Sequence, residues 1–265
     1  MNKVIKLLLI TLCLLSSAVW ADYTKQIDVF GIPVIATDGV SDTKMMHAAS
    51  VLAEYLDNDQ DGKADDPKVI DAIHGHNGFL YMAADESEED TDFPNDDFDG
   101  NQDFGQNLFD EETRPEGSSA EGGFDATLEE VLHLITHVGY ANAYPNKYGE
   151  DPGSDLTKAM DKARGGQFFD IPSRYPVGAW YTYDDDSCNY NCMATEYFYW
   201  SLTSLLGAQS YPGRADEIEW EWRLSNASKL NSTDKRIYNL LTTLPIKTIP
   251  TGKYTGSLLT IKSIN

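Results

Sequence analysis

Residues 124–145, FDATLEEVLHLITHVGYANAYP, hold the side chains best placed for chemistry. His133 and His137 are four apart, and Glu130 lies one turn before His133. At about 100° per residue on an α-helix, His137 falls about 40° round from His133 and Glu130 about 60° round on the same side, so the three can converge on one point. Two imidazoles and a carboxylate suit a divalent cation such as zinc. Glu196 lies in a strongly apolar run, ATEYFYWSLTSLL, that reads as a largely buried helix. A carboxylate there is costly unless it is paired, bound to a cation, or close enough to the helix start for backbone N–H groups to satisfy it. His133, His137 and Glu196 make up the expected ligand set, with one position left for water. Glu130 is either the base that takes a proton from that water or a fourth ligand, and in the second case iron or manganese also suits the site. Glu129 points more nearly the other way round, where it could hold a histidine Nδ1.

A second set of ligands runs from Asp57 to Pro67. Asp57, Asp59 and Asp61 offer oxygens at loop positions 1, 3 and 5, Gly62 makes the turn at 6, Lys63 offers a carbonyl at 7 and Asp65 an oxygen at 9, a spacing that wraps one Ca²⁺. The segment resembles the EF-hand and the related loops of dockerin modules, with helix-like runs on both sides over about 42–74. Lys68 stands at position 12, where the resemblance calls for a bidentate glutamate; the missing ligand then falls to Asp65, Asp66 or a neighbouring segment. The plainer reading is an acidic turn between two helices. Asp97, Asp99, Asn101 and Asp103 form a weaker oxygen cluster in the acidic insertion 85–121, either a calcium site or a solvated loop.

HxxxH on one helix with a glutamate on a later one resembles the gluzincin branch of the zincins. The resemblance implies a secreted zinc hydrolase that cleaves peptide bonds with metal-activated water, acting on a peptide or protein. Leu134 stands where that family carries its general-base glutamate, immediately after the first histidine. An unaltered carry-over would give an inactive protein; Glu130 could reach the same water from one turn lower. No GxSxG, GxGxxG or GxxxxGK pattern offers another chemistry. Tyr175, Tyr181, Tyr183 and Tyr197 could supply an oxyanion-side hydroxyl.

The rest of the chain must position these groups. MNKVIKLLLITLCLLSSAVWA reads as a secretory signal peptide cut after Ala21, which gives a secreted or periplasmic protein and no membrane span. Forty-three acidic against 20 basic residues, a formal charge of −23, oppose contact with nucleic acid or anionic lipid. Fifteen tyrosines, ten phenylalanines and five tryptophans argue against disorder. Cys188 and Cys192, the cysteines beyond the leader, are spaced for a local disulfide. Met45, Ala49, Leu52, Ala53 and Leu56 make an apolar stripe that predicts a helix over 42–56; His47 falls off it and reads as a surface or cap residue. Further helices are expected at 125–138, with Gly139 as a stop, and at 156–164, 194–206 and 233–243. His74 and His76 read as capping or hydrogen-bonding residues. Residues 22–37 carry strand preference without a second clear strand to pair with, and Ile218, Trp220 and Trp222 share a period-two face, although a helix is also possible there. The expected fold is mainly α with a small β component, one compact mature domain over 22–265 with long acidic loops and a metal-site core at about 124–210. The function that follows is a calcium-stabilised metal-dependent hydrolase or, alternatively, a non-catalytic extracellular calcium-binding protein.

Overall fold

The computed structural model describes residues 23–88 and 104–264. β1 (Tyr23–Val29) turns through Phe30 and Gly31, with φ of 53° and 84°, and returns antiparallel as β2 (Ile32–Thr37). Positive φ at both central residues gives a two-residue turn the twist of the strands it joins. α1 (Asp42–Leu56) starts where the Ser41 side chain accepts from the Lys44 N–H, and α2 (Pro67–Gly75) starts at an Asp66 cap. β3 (Phe79–Ala83) then pairs parallel with β2, and β4 (Gly105–Phe109) parallel with β3. With β5 (Lys262–Ser263) on β1, the strand order is β4-β3-β2-β1-β5.

The partners that residues 22–37 lacked in sequence are therefore β3, β4 and β5. β3 is FLYMA, buried at every position, and without alternation it carries no period-two signal. β4 is hidden by Gln106 and Asn107 inside the acidic stretch.

Helices dominate the rest of the domain. α3 (Thr127–His133) continues without a break into a π-helical segment, Leu134–Tyr140. After it come α4 (Ala141–Ala143), α5 (Pro145–Tyr148), α6 (Asp155–Arg164), α7 (Tyr190–Leu206), α8 (Arg214–Glu217), α9 (Ala227–Thr233) and α10 (Lys235–Leu241). Gly139 does not stop the helix. A Cβ there would meet Val69 Cγ1 at 2.7 Å, so its role is to let α2 approach closely. Cys188 and Cys192 are disulfide-bonded at the entry to α7, beside the Asn189 cap. The period-two face at 218–222 is not realised: Ile218 and Trp222 are buried while Trp220 is 57% exposed, and the segment makes one bridge, Tyr181 to Trp222.

One face of the sheet, with Ile27, Val34, Leu80 and Leu108, joins the main core with α1 and α3. Tyr23, Ile35, Phe79 and Tyr81 form a smaller cluster of their own. Among the described residues no helix is long and apolar enough to cross a membrane. The leader and the Asp97–Asp103 cluster lie outside the described residues.

Candidate metal centre

Two groups of ligand atoms converge, each within 4.8 Å: Glu129, His133 and Glu196, and Asp57, Asp59 and Asp61. The first is assembled from α3 and α7. Glu129 and His133 are one helical turn apart, and Glu196 sits in the second turn of α7, past the cap position that sequence left open for it. His133 Nε2 is buried, lies 3.6 Å from Glu196 Oε2 and has no hydrogen-bond partner. Its Nδ1 lies 3.4 Å from Glu130 Oε2, and the same oxygen accepts from Gln106 Nε2 of β4 at 2.7 Å. The sheet thus holds Glu130, Glu130 flanks the imidazole at Nδ1, and the imidazole presents Nε2 to Glu196, with Glu129 in the same converging group. Relative to the helical-wheel expectation Glu129 and Glu130 exchange places: Glu129 joins the converging set, and Glu130 stands behind the ring.

His137 contributes no atom to that set. Its Nδ1 is 2.6 Å from Glu150 Oε2, and Glu150 Oε1 accepts from Thr195 Oγ1, also at 2.6 Å. The cause is local backbone. From Leu134 the hydrogen bonds run i→i+5 in place of i→i+4, which changes the rotation per residue and moves His137 away from the position the α-helical wheel gives it. No local sequence signal marks that change.

The electrostatics are those of too many carboxylates in too little water. Burial, then Glu196 and Glu130, push the Glu129 carboxyl well above its ordinary range, while His133 and Tyr199 work the other way. Burial opposes protonating His133, but Glu196 and Glu130 outweigh it and hold the ring well above the usual imidazole value. Glu221, which sequence did not single out, accepts from Trp200 Nε1 at 2.6 Å. Burial raises it to about 8 against that hydrogen bond, with Glu196 adding to the rise. A divalent cation would take the place of the protons such a cluster otherwise holds, and one nitrogen with two carboxylate oxygens suits zinc, manganese or iron. The unpartnered Nε2 meets the same requirement.

Of the four tyrosines, Tyr175 donates to Tyr183 O, Tyr181 to Met193 O and Tyr197 to Asp234. Among the described residues the Tyr183 hydroxyl has no hydrogen-bond partner. Burial, then Glu196 and Glu221, raise its pKa strongly and keep it protonated.

The second group is a loop between α1 and α2. Asp57 is buried, and Asp59 and Asp61 are exposed. Asp57 accepts from the N–H groups of Asp61 and Gly62, at 3.1 and 2.9 Å, which folds the loop round its carboxylate. Asp65 Oδ2 accepts from the Asn58 N–H at 2.8 Å, and the Lys63 side chain pairs with Asp61 Oδ2 at 3.1 Å. Burial, opposed by that Asn58 bond and aided by the three loop acids, raises Asp65. Asp66 is engaged by the Tyr144 hydroxyl at 2.9 Å. The C-terminal segment covers the loop: the Tyr254 hydroxyl donates to Asp57 Oδ2 at 2.5 Å and the Thr255 N–H to Gln60 Oε1 at 2.8 Å.

Family models, curated proteins and solved structures give no match to this chain.

Proposed function

We propose that this protein is a metal-dependent hydrolase whose centre is Glu129, His133 and Glu196, holding zinc or another divalent transition cation. The observation that carries the reading is the buried, unpartnered Nε2 of His133 beside Glu196, with Glu129 converging on the same group while Glu130 flanks the other side of the ring. A cation held by these residues would supply Lewis-acid activation of a water. Glu130 and Gln106 orient His133, and the Tyr183 hydroxyl, kept protonated by burial and by the charge of Glu196, is the donor for a developing oxyanion. Glu130 is thereby a positioning residue.

A peptide bond as the substrate rests on the gluzincin resemblance, of which His133 and Glu196 are the parts carried over. Secretion or export to the periplasm rests on the leader, and the Cys188–Cys192 disulfide fits an oxidising compartment. Calcium at Asp57, Asp59 and Asp61, with the Lys63 carbonyl and Asp65, is proposed as a structural ion that ties α1 to the C-terminal segment. Metal analysis of the purified protein tests the centre: about one transition-metal ion per chain is expected, and its absence at stoichiometric level would sink the proposal.

The acidic loop favours a second reading, an extracellular calcium-binding protein without catalysis. It predicts that calcium raises the melting temperature while no transition metal copurifies.

A further inference from the structure

Apart from both clusters, a buried imidazole–carboxylate pair lines a cavity of about 460 Å³. His47 of α1 and Asp125, two residues before α3, are 4% and 2% exposed, with His47 Nε2 2.7 Å from Asp125 Oδ2. Asp125 Oδ1 accepts from the N–H groups of Arg114 at 2.9 Å and Thr127 at 3.3 Å. The Asp125 carboxylate thus accepts from three donors, of which the Nε2–H of His47 is one, and that tautomer leaves the ring lone pair on Nδ1. That atom has no hydrogen-bond partner among the described residues. Gly252, at φ 70°, comes against the same edge of the ring, where a Cβ would collide with Nδ1. The segment around it is pinned by Glu54, one turn before the acidic loop, which accepts from the N–H groups of Thr251 and Lys253. Leu128, Ile249, Pro250 and Ala208 give the cavity apolar walls, and among its lining charges Glu116 and Asp125 outnumber Lys253, which disfavours an anion.

We propose that this cavity is a second, metal-independent site, in which His47 is the general base for hydrolysis of small uncharged carboxylic esters. Water gives a proton to Nδ1 as its oxygen bonds the carbonyl carbon and the C=O pair moves onto oxygen. That pair then returns, the ester C–O bond breaks, and the leaving alkoxide takes the proton from Nδ1. Acid and alcohol are the products, and His47 is neutral again. Asp125, a positioning residue, holds the ring through Nε2 while the imidazolium forms and is discharged between the two steps. This site does not depend on the metal centre proposed above.

The test is hydrolysis of p-nitrophenyl acetate by the full chain after exhaustive chelation and return of calcium alone. Turnover above buffer is expected, slower in D₂O, and reduced about 10²-fold or more by His47→Ala. Ser210→Trp, which adds bulk at an exposed residue of the cavity lining, should cut it similarly with an unchanged melting temperature. Asp125→Asn should lower kcat with little change in KM. Loss of turnover on chelation, equal turnover in His47→Ala, or no turnover at all would overturn the proposal. If His47→Ala does not fold, Ser210→Trp decides: full activity with that bulk in the lining rules the cavity out.

Discussion

The two cation clusters are built in opposite ways. Asp57, Asp59 and Asp61 come from five consecutive residues, and backbone N–H groups of the same loop organise them. Glu129, His133 and Glu196 come from two helices that meet only in the folded chain, and their orientation is set from a third element through Gln106 and Glu130. Two of the three loop carboxylates are exposed and water offsets their repulsion; the helix cluster is largely out of water, and its repulsion appears as raised pKa values. Local assembly gives a site that is easy to form. Long-range assembly gives one that is strained until something positive occupies it.

Breaking one cluster should leave the other intact. The largest effect is expected from His133→Ala, which should abolish stoichiometric transition-metal binding in elemental analysis while calcium still raises the melting temperature. Loss of both responses together would show the two regions to be coupled.

A pH series on metal-free protein probes the stored repulsion. The Glu221 carboxyl sits at about 8 in the folded chain against an ordinary 4.5, so the folded state keeps a proton that the unfolded chain releases. Its stabilising contribution, on the order of a few kcal/mol, is present below the unfolded value and is lost as pH rises toward the folded one. Denaturant titrations from pH 5 to pH 8 should record that decline, and Glu221→Gln should flatten it.

Calcium at a hundred times its dissociation constant should stabilise the chain by about 2.7 kcal/mol. Asp57→Ala should remove the gain in a thermal melt.

Glu130→Gln should weaken metal affinity by roughly 10–100-fold in a competition titration with a chelator, the range for a residue that orients a ligand. The smallest effect is expected from His137→Ala. Metal should be retained while stability drops by about 1–2 kcal/mol, because Glu150 loses its partner. Loss of metal in this variant would restore His137 to the centre.

Local features of this chain were legible in its residues. The apolar stripe and Ser41 gave α1 its bounds, and the Asp-Asn-Asp-Gln-Asp-Gly run placed three oxygens around one point before any packing was known. His133 and Glu196 were legible as a pair because a carboxylate in an apolar helix needs a reason. β3 was not, since a strand buried on both faces has no alternation to read, and β4 hid among acids. His47 read as a surface or cap residue because it lies off the apolar stripe, yet it is buried by its bond to Asp125, 78 residues away.

By itself the sequence determined which groups this protein has for chemistry and where its loop acids converge, because spacing over a few residues fixes geometry over a few ångströms. Only the tertiary structure decided which carboxylate faces His133. A π-helical segment turns His137 toward Glu150, β4 draws Glu130 behind the ring, and α7 brings Glu196 to its front. Each of these is a choice made by packing partners far away in the chain, and no helical wheel contains it.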